Sequence, residues 1–423
     1  DLTYRDLHDR VSAKVSSQHF MQNPVLVGQG ERQVFASNLV KVEHGVNVLS
    51  VDSAKNQITI NTGIAAGVRK QAKFAIYPMG TRDFGKTTEQ LAIAEVIEYG
   101  GTDAKCQLER LAERRMVEVG DQAMLLAPAP RLIRQVRLDL AGEALEIIQK
   151  ALPDNGWVNL AEDNEEDRYI DYLVTLNTQN EYEIRGSQTN ATYSNRPLVK
   201  VDEPDAGQKL VQRLVHLSKY RSIQELKSSG SPLEPKFKVR WFGKLSDYDP
   251  MADGPANKLK PRDVDSFDNP NQPTIKEGEW IFLEIINEYS SSLNVSILDL
   301  VPNWKVEQAW PGKEPAVEIP SRHDGGNREV AAFRPTLPEG YQKGIERVKV
   351  FATLGSLDLR FLSLPRLDNP IPTLPEGRNF KGFDPLSNVV AAIATEKAGS
   401  KDMNAAYSYR EWVVKDFTLT IEK

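Results

Sequence analysis

Short runs of alternating apolar and polar residues, separated by glycine turns, constrain the fold of this chain more than any other feature. Alternation with a period of two places every second side chain on the same face of a β-strand. Strands that are this short and this closely spaced favour a small antiparallel barrel, and we predict one over residues 37–130. The runs lie at residues 57–61, 73–77, 92–96, 106–108, 116–121 and 123–126.

Two further regions follow the predicted barrel. The first extends over residues 131–228 and predicts a small α+β unit. A strand pattern at 135–138 is followed by a helical pattern at 143–151, two strand patterns within 169–184 and a second helical pattern at 208–226. A stretch rich in Ser, Gly and Pro at 228–232 is typical of a linker. Beyond it, strand patterns return between long Pro- and Gly-rich stretches, and they predict a β-sandwich over residues 235–423. These strand patterns lie at residues 279–286, 293–300, 347–352 and 412–421.

The composition limits the classes of function. The 423 residues include 53 Lys and Arg against 59 Asp and Glu, a net charge of −6, which argues against a nucleic-acid partner. No apolar run approaches the ~20 residues that span a bilayer, so we predict no membrane partner. A single cysteine excludes an intramolecular disulfide and fits a reducing compartment, so the predicted location is cytoplasmic.

The first 36 residues have the pattern of the end of a larger domain. Leu7, Val11 and Val15 recur at four-residue spacing, which predicts an amphipathic helix. A short apolar strand bounded by Pro and Gly follows at residues 22–28. A lone helix and a lone strand cannot bury their apolar faces, so we expect them to pack on a sheet that lies upstream or in a partner chain.

This N-terminal segment resembles the closing helix and last strand of the caspase fold in bacterial caspase-family peptidases, the metacaspase-like orthocaspases of peptidase family C14. The matching motifs are T-x-x-D-L at residues 3–7, Q-x-P-x-L-x-G at 22–28 and R-x-x-F at 32–35. The motifs I-x-I-x-x-G at 58–63 and F-x-I-Y-P-x-G at 74–80 are similar to the region that follows the caspase module in those proteins.

The predicted sandwich carries a second resemblance. It is similar to a β-rich domain of uncharacterised role that is found C-terminal to caspase-like and kinase-like modules in bacteria. The marks of this resemblance are Asn287, the strand end at 298–300, the Trp-Pro-Gly element at 310–312 and the strand at 344–353. We therefore predict a mainly β chain with α+β portions, made of a residual caspase-fold helix and strand (1–36), a barrel, an α+β unit and a C-terminal sandwich.

The resemblance implies a parent cysteine endopeptidase that cleaves after basic residues through a His–Cys dyad. That dyad belongs to elements N-terminal to the matched segment, so we predict that this chain is inactive alone and assign it no catalytic, cofactor-binding or metal-binding residue. Its only cysteine, Cys106, lies in an alternating run and is predicted to be a buried, unreactive thiol. The predicted role is to recruit protein substrates, to assemble or to gate access for an upstream caspase module, in the same polypeptide or in a companion chain.

One motif indicates a different function. Gly80, Gly85, Lys86 and Thr87 match the Walker A pattern, in which backbone N–H groups bind phosphates, the Lys reaches the terminal phosphate and the Thr holds Mg²⁺. The run before this motif alternates as an antiparallel strand does. A P-loop protein also has a second apolar strand that ends in Asp, the Walker B strand, and here the apolar run that ends at Asp299 lies far downstream. We therefore favour a plain hairpin loop at 80–87. A P-loop nucleotide-binding protein and a stand-alone β-domain interaction protein remain the alternative functions.

Two acidic stretches are also candidates for binding. Asp247, Asp249 and Asp253 lie in one predicted loop, and oxygen-rich loops of this kind suit Ca²⁺, but their spacing does not match an EF-hand. The run at residues 162–167 carries five acidic residues in six positions and could attract a basic partner. We predict that both stretches are solvated surface loops.

Overall fold

The computed structural model describes residues 45–367, except 112–113, 154, 163–168, 187–197, 229, 313 and 356, together with residues 411–423 and isolated positions before residue 45. The helix and strand expected within residues 1–36, and most of the acidic run at 162–167, lie outside the described residues. The described chain is mainly β, as predicted.

Six antiparallel strands close into a barrel in the order β1-β2-β5-β4-β3-β6. Closure depends on β6, which pairs with β1 on one side and with β3 on the other. The inward-facing side chains are apolar and buried, and they include Val48, Ile60 and Phe74, so the predicted small antiparallel barrel is confirmed. The strands are β1 (Val46–Asp52), β2 (Gln57–Ile60), β3 (Lys73–Tyr77), β4 (Ala92–Tyr99), β5 (Ala104–Arg110) and β6 (Gln122–Ala127).

The strand expected at residues 116–121 is absent from this described stretch, which forms a loop instead. The buried carboxylate of Asp121 organises the loop. It accepts hydrogen bonds from the backbone N–H of Met79 at 3.0 Å and of Glu118 at 2.8 Å, and it forms a two-point ion pair with Arg115. The strand prediction is therefore wrong here. The buried carboxylate accepts hydrogen bonds from backbone N–H groups that a strand would instead pair with a neighbouring strand.

The α+β unit is a five-stranded sheet in the order β11-β10-β9-β7-β8, with β7 parallel to both β8 and β9. Two helices pack on this sheet and bury Ile148, Leu210 and Leu214 against Tyr172 and Tyr182. The elements are β7 (Arg134–Leu138), α1 (Gly142–Ala151), β8 (Val158–Leu160), β9 (Tyr172–Leu176), β10 (Glu181–Gly186), β11 (Val199–Lys200) and α2 (Ala206–Gln224).

The C-terminal region is a sandwich of two sheets. A three-stranded sheet in the order β12-β14-β18 faces a sheet in the order β13-β20-β19-β15-β16, in which β17 also pairs with β15. The strands are β12 (Phe237–Leu245), β13 (Thr274–Lys276), β14 (Trp280–Asn287), β15 (Leu293–Leu300), β16 (Val306–Trp310), β17 (Val317–Ile319), β18 (Arg328–Phe333), β19 (Lys343–Thr353) and β20 (Trp412–Glu422).

The outer face of the larger sandwich sheet is also buried. Phe351 of β19 and Trp412 of β20 pack there against Ile64 of the barrel and Ile223 of α2 in one apolar cluster. The predicted linker is held to the same sheet, since the hydroxyl of Ser228 accepts a hydrogen bond from a backbone N–H of β20 at 3.1 Å. Because the outer face is covered, the candidate site described below lies on the inner face of this sheet. No helix among the described residues combines the length and the apolar character needed to cross a membrane.

Candidate functional site

The Walker A-like residues 80–87 form a loop between two antiparallel barrel strands. The segment that follows Lys86 is a single turn of 3₁₀-helix, Thr87–Glu89, which leads directly into β4. Phe84 is buried and its carbonyl accepts a hydrogen bond from the hydroxyl of Tyr77 at 2.6 Å, so the loop folds back onto the barrel. A phosphate-binding loop requires a parallel strand and the N-terminus of a following helix. This fully described stretch has neither, and it forms the hairpin loop that the sequence favours.

The acidic loop at 247–253 satisfies its own backbone. The carboxylate of Asp253 accepts a hydrogen bond from the N–H of Asp249, and the carboxylate of Asp249 accepts one from the N–H of Met251, each at 2.9 Å. Across the described part of the chain, no group of three or more His, Cys, Asp or Glu side chains is arranged to hold a metal ion. These carboxylates therefore cap a surface turn.

Cys106 lies fully buried inside the barrel. Burial raises the pKa of its thiol to about 12, so the reactive thiolate is scarce at neutral pH. The predicted burial of the thiol is confirmed, and its low reactivity stays a prediction.

Three carboxyl groups lie side by side on the inner face of the larger sandwich sheet. Ile297 of β15 points into the sandwich core, and strand alternation places Asp299 on the same face. In the antiparallel register Asp299 lies opposite Glu307 of β16 and opposite Val348 of β19, which puts Glu346 at the diagonal position within side-chain reach. The apolar inner face of the sheet thus becomes acidic at one end.

These three carboxyl groups line a cavity of about 460 Å³, which we call the acidic cleft. The opposite wall is largely apolar and includes Trp280 and the loop that follows β18. Two bonds anchor this loop: Arg334 Nε donates to the carbonyl of Gly278 at 2.6 Å, and the N–H of Leu337 donates to the carboxylate of Glu277 at 3.1 Å. The volume falls in the range of about 300–1,000 Å³ that is typical of small-ligand sites.

Asp299 and Glu346 form a buried carboxyl pair at the floor of the cleft, 7% and 1% exposed. The two side chains lie within interaction range of each other, and burial raises the pKa of both. Repulsion from Glu307 raises the pKa of Asp299 further, and repulsion from Asp299 does the same for Glu346. Two buried carboxylates side by side repel each other when both are ionised, so we expect the pair to retain one proton at neutral pH.

The positive charges of the cleft lie at its rim. Lys305 forms an ion pair with Glu307 at 2.5 Å, and both side chains are about half exposed. Within the described residues, no Lys, Arg or His forms an ion pair with Asp299 or Glu346. No N–H or O–H of the described chain donates to Asp299 Oδ1 or to Glu346 Oε2. The floor of the cleft is therefore acidic and short of hydrogen-bond donors.

No sequence motif points to this site. Asp299 ends an apolar run, and Glu346 lies within a strand motif. A usable signal exists in both strands, because Asp299 and Glu346 stand at inward positions of an alternating pattern that otherwise carries Ile297, Val348 and Val350. An acid at such a position must be paired, protonated or functional.

Comparison of the chain with models of known protein families and with curated proteins gives no significant match. The geometry of the acidic cleft therefore carries the functional argument.

Proposed function

We propose that this chain is a non-catalytic binding module with the acidic cleft as its binding site, and that it serves as the accessory region of a larger enzyme. The N-terminal motifs suggest that this enzyme is a bacterial caspase-like cysteine endopeptidase, for which the module recruits protein substrates. The observation that carries the proposal is a pre-formed cavity with a carboxyl pair at its floor and an anchored loop as its opposite wall.

The chemistry of the lining argues against a serine- or cysteine-peptidase site. Among the described residues that line the cleft there is no Cys, Ser or His, the residue types that supply the nucleophile and the base of those peptidases. The thiol of Cys106 lies buried in the barrel core, away from the sandwich. An interaction module needs a shaped cavity and fixed polar groups, and the cleft supplies both.

A cleft-filling variant tests the binding role. Ala309 is half-buried on β16 and lines the cleft, so Ala309→Phe projects a phenyl ring into the cavity. Ile345→Phe is the matched control, because it adds the same ring at an exposed position of β19 outside the cleft. We expect Ala309→Phe to weaken binding of the natural protein partner at least tenfold and Ile345→Phe to leave it unchanged. Equal binding by both variants would refute the cleft as the binding site.

The accessory role is tested on the protein isolated from its own source. Its intact mass and N-terminal sequence show whether a caspase module with a His-Gly element and an Asp-x-Cys-x-Gly element accompanies the chain. We expect such a module, either in the same polypeptide or as a companion chain. A chain that hydrolyses peptides or nucleotides when purified alone would contradict the proposal of a non-catalytic module.

A further inference from the structure

We propose that the acidic cleft binds a cationic side chain, the ammonium group of a lysine or the guanidinium group of an arginine, and that this cation replaces the proton retained by Asp299 and Glu346. The inference rests on the proposed function and adds the class of ligand and the exchange that accompanies binding.

The floor of the cleft requires a positive partner if both carboxyl groups are to ionise. In the unliganded chain a retained proton takes this place, because burial and mutual repulsion raise the pKa of both groups. Asp299 Oδ1 and Glu346 Oε2 are buried and lack a hydrogen-bond donor within the described chain. An ammonium or guanidinium group brings several N–H donors and a full positive charge, so it can satisfy both oxygens once the two side chains turn towards the cavity. Charge-assisted hydrogen bonds of this kind are about twice as strong as neutral ones, and they gain further strength away from water.

The donor set favours an organic cation over a metal ion. A metal site needs several ligands converging on one point, and none of the described groups of acidic, His or Cys side chains meets that condition. The wall of the cleft suits the aliphatic part of a long basic side chain, since Trp280, Pro335 and Leu337 line it. The ring of Trp280 can also attract a cation over its face.

Among the described residues, no cationic side chain forms an ion pair with Asp299 or Glu346 at the floor of the cleft. Lys305 is held at the rim by Glu307, and Arg334 is exposed and bonded to a backbone carbonyl. From behind the sheet, the hydroxyl of Tyr220 on α2 interacts electrostatically with Asp299 and Glu346, and it also interacts with Arg347 of β19. An entering cation therefore takes the place of the retained proton as the positive partner of the two carboxyl groups. Binding therefore releases one proton, and the affinity increases with pH.

Titration calorimetry on the whole chain tests the exchange. The probes are N-acetyl-lysine amide, N-acetyl-arginine amide and, as an uncharged match, the same lysine derivative acetylated at Nζ. Free n-butylammonium distinguishes a small amine from the side chain of a peptide. Each titration is run from pH 6 to pH 8 in two buffers of different ionisation enthalpy, so that the number of released protons is counted. Glu346→Gln is compared with Glu318→Gln, which removes an exposed carboxylate of β17.

We expect a charged probe to bind with release of about one proton, so that Kd falls by up to about tenfold for each pH unit. The Nζ-acetylated probe should bind at least tenfold more weakly. Glu346→Gln should abolish proton release and weaken binding at least tenfold, whereas Glu318→Gln should behave as the wild type. Stronger binding of n-butylammonium than of the amino-acid probes would assign the cleft to small amines.

Two results would overturn the inference. One is equal binding of the charged and the acetylated lysine probes, and the other is binding without proton release that Glu346→Gln leaves unchanged. Failure here is distinguishable from failure of the proposed function. If Ala309→Phe abolishes partner binding but no charged probe binds, the cleft is a binding site for another class of ligand. If charged probes bind but Ala309→Phe leaves partner binding intact, the binding role fails instead.

Discussion

Replacing Glu346 with Gln should stabilise the protein at neutral pH. Glutamine keeps the size of the side chain and offers an N–H donor to Asp299, but it has no proton to lose. In the wild type, burial raises the pKa of Glu346 well above the ordinary value of 4.5, so the folded chain keeps a proton that the unfolded chain releases. The stability that this group contributes is therefore fully present below pH 4.5 and is lost as the pH rises towards the folded-state pKa.

The magnitude follows from the difference in bound protons. With one extra proton in the folded state, the free energy of unfolding falls by about 1.4 kcal/mol for each pH unit above 4.5, or by about 3 kcal/mol at pH 7. Relaxation of the cleft and entry of water reduce this figure, so we expect Glu346→Gln to gain about 1–3 kcal/mol at pH 7 and almost nothing at pH 4.5.

Urea unfolding followed by circular dichroism from pH 4.5 to pH 8 measures this difference. The comparison uses the transition in which the sandwich unfolds, with Glu318→Gln as a surface control that should stay within about 0.5 kcal/mol of the wild type. A Glu346→Gln variant that is less stable than the wild type at pH 7, or that keeps the same pH dependence, would refute the retained proton.

Three further outcomes are expected. Phe84→Ala should destabilise the barrel by about 3 kcal/mol in thermal or urea unfolding, because it empties a buried position. Lys86→Ala, at an exposed position of the same loop, should stay within about 0.5 kcal/mol of the wild type. Equal effects of the two variants would contradict the hairpin-loop geometry. Asp121→Asn should cost about 1–3 kcal/mol on the same scale, because it removes the charge of a buried carboxylate that pairs with the exposed Arg115 and replaces one acceptor oxygen with a donor. A neutral result would show that the carboxylate does not organise its loop. Cys106 should react with a thiol reagent at pH 8 about a thousandfold more slowly than a free thiol until the barrel unfolds, and rapid labelling of the native protein would contradict its burial.

Local patterns predicted most of the secondary structure. The alternating runs at 73–77 and 92–96 are β3 and β4, and the helical periodicity at 208–226 is α2, displaced by two residues at each end. These predictions were correct because strand and helix periods depend only on neighbouring residues. The strand prediction at 116–121 was wrong because the segment is a loop, in which the buried carboxylate of Asp121 accepts the backbone hydrogen bonds.

The candidate site was much less accessible to sequence reasoning. Gly80 to Thr87 satisfy a motif letter for letter, yet a motif has its chemistry only in its structural context, and here that context is an antiparallel hairpin. Asp299 and Glu346 belong to no motif. They are 47 positions apart, and their proximity depends on the register between β15 and β19.

Local patterns were enough to identify a mainly β chain and the side chains that share a face of each strand, because alternation is a local property of an extended backbone. How these faces combine depends on long-range contacts. Pairing of β6 with both β1 and β3 closes the barrel, and the register of three sandwich strands brings Asp299, Glu307 and Glu346 together at one cleft. Register is set by long-range packing and hydrogen bonding, and a shift of one residue would turn each of these carboxyl groups to the opposite face of the sheet.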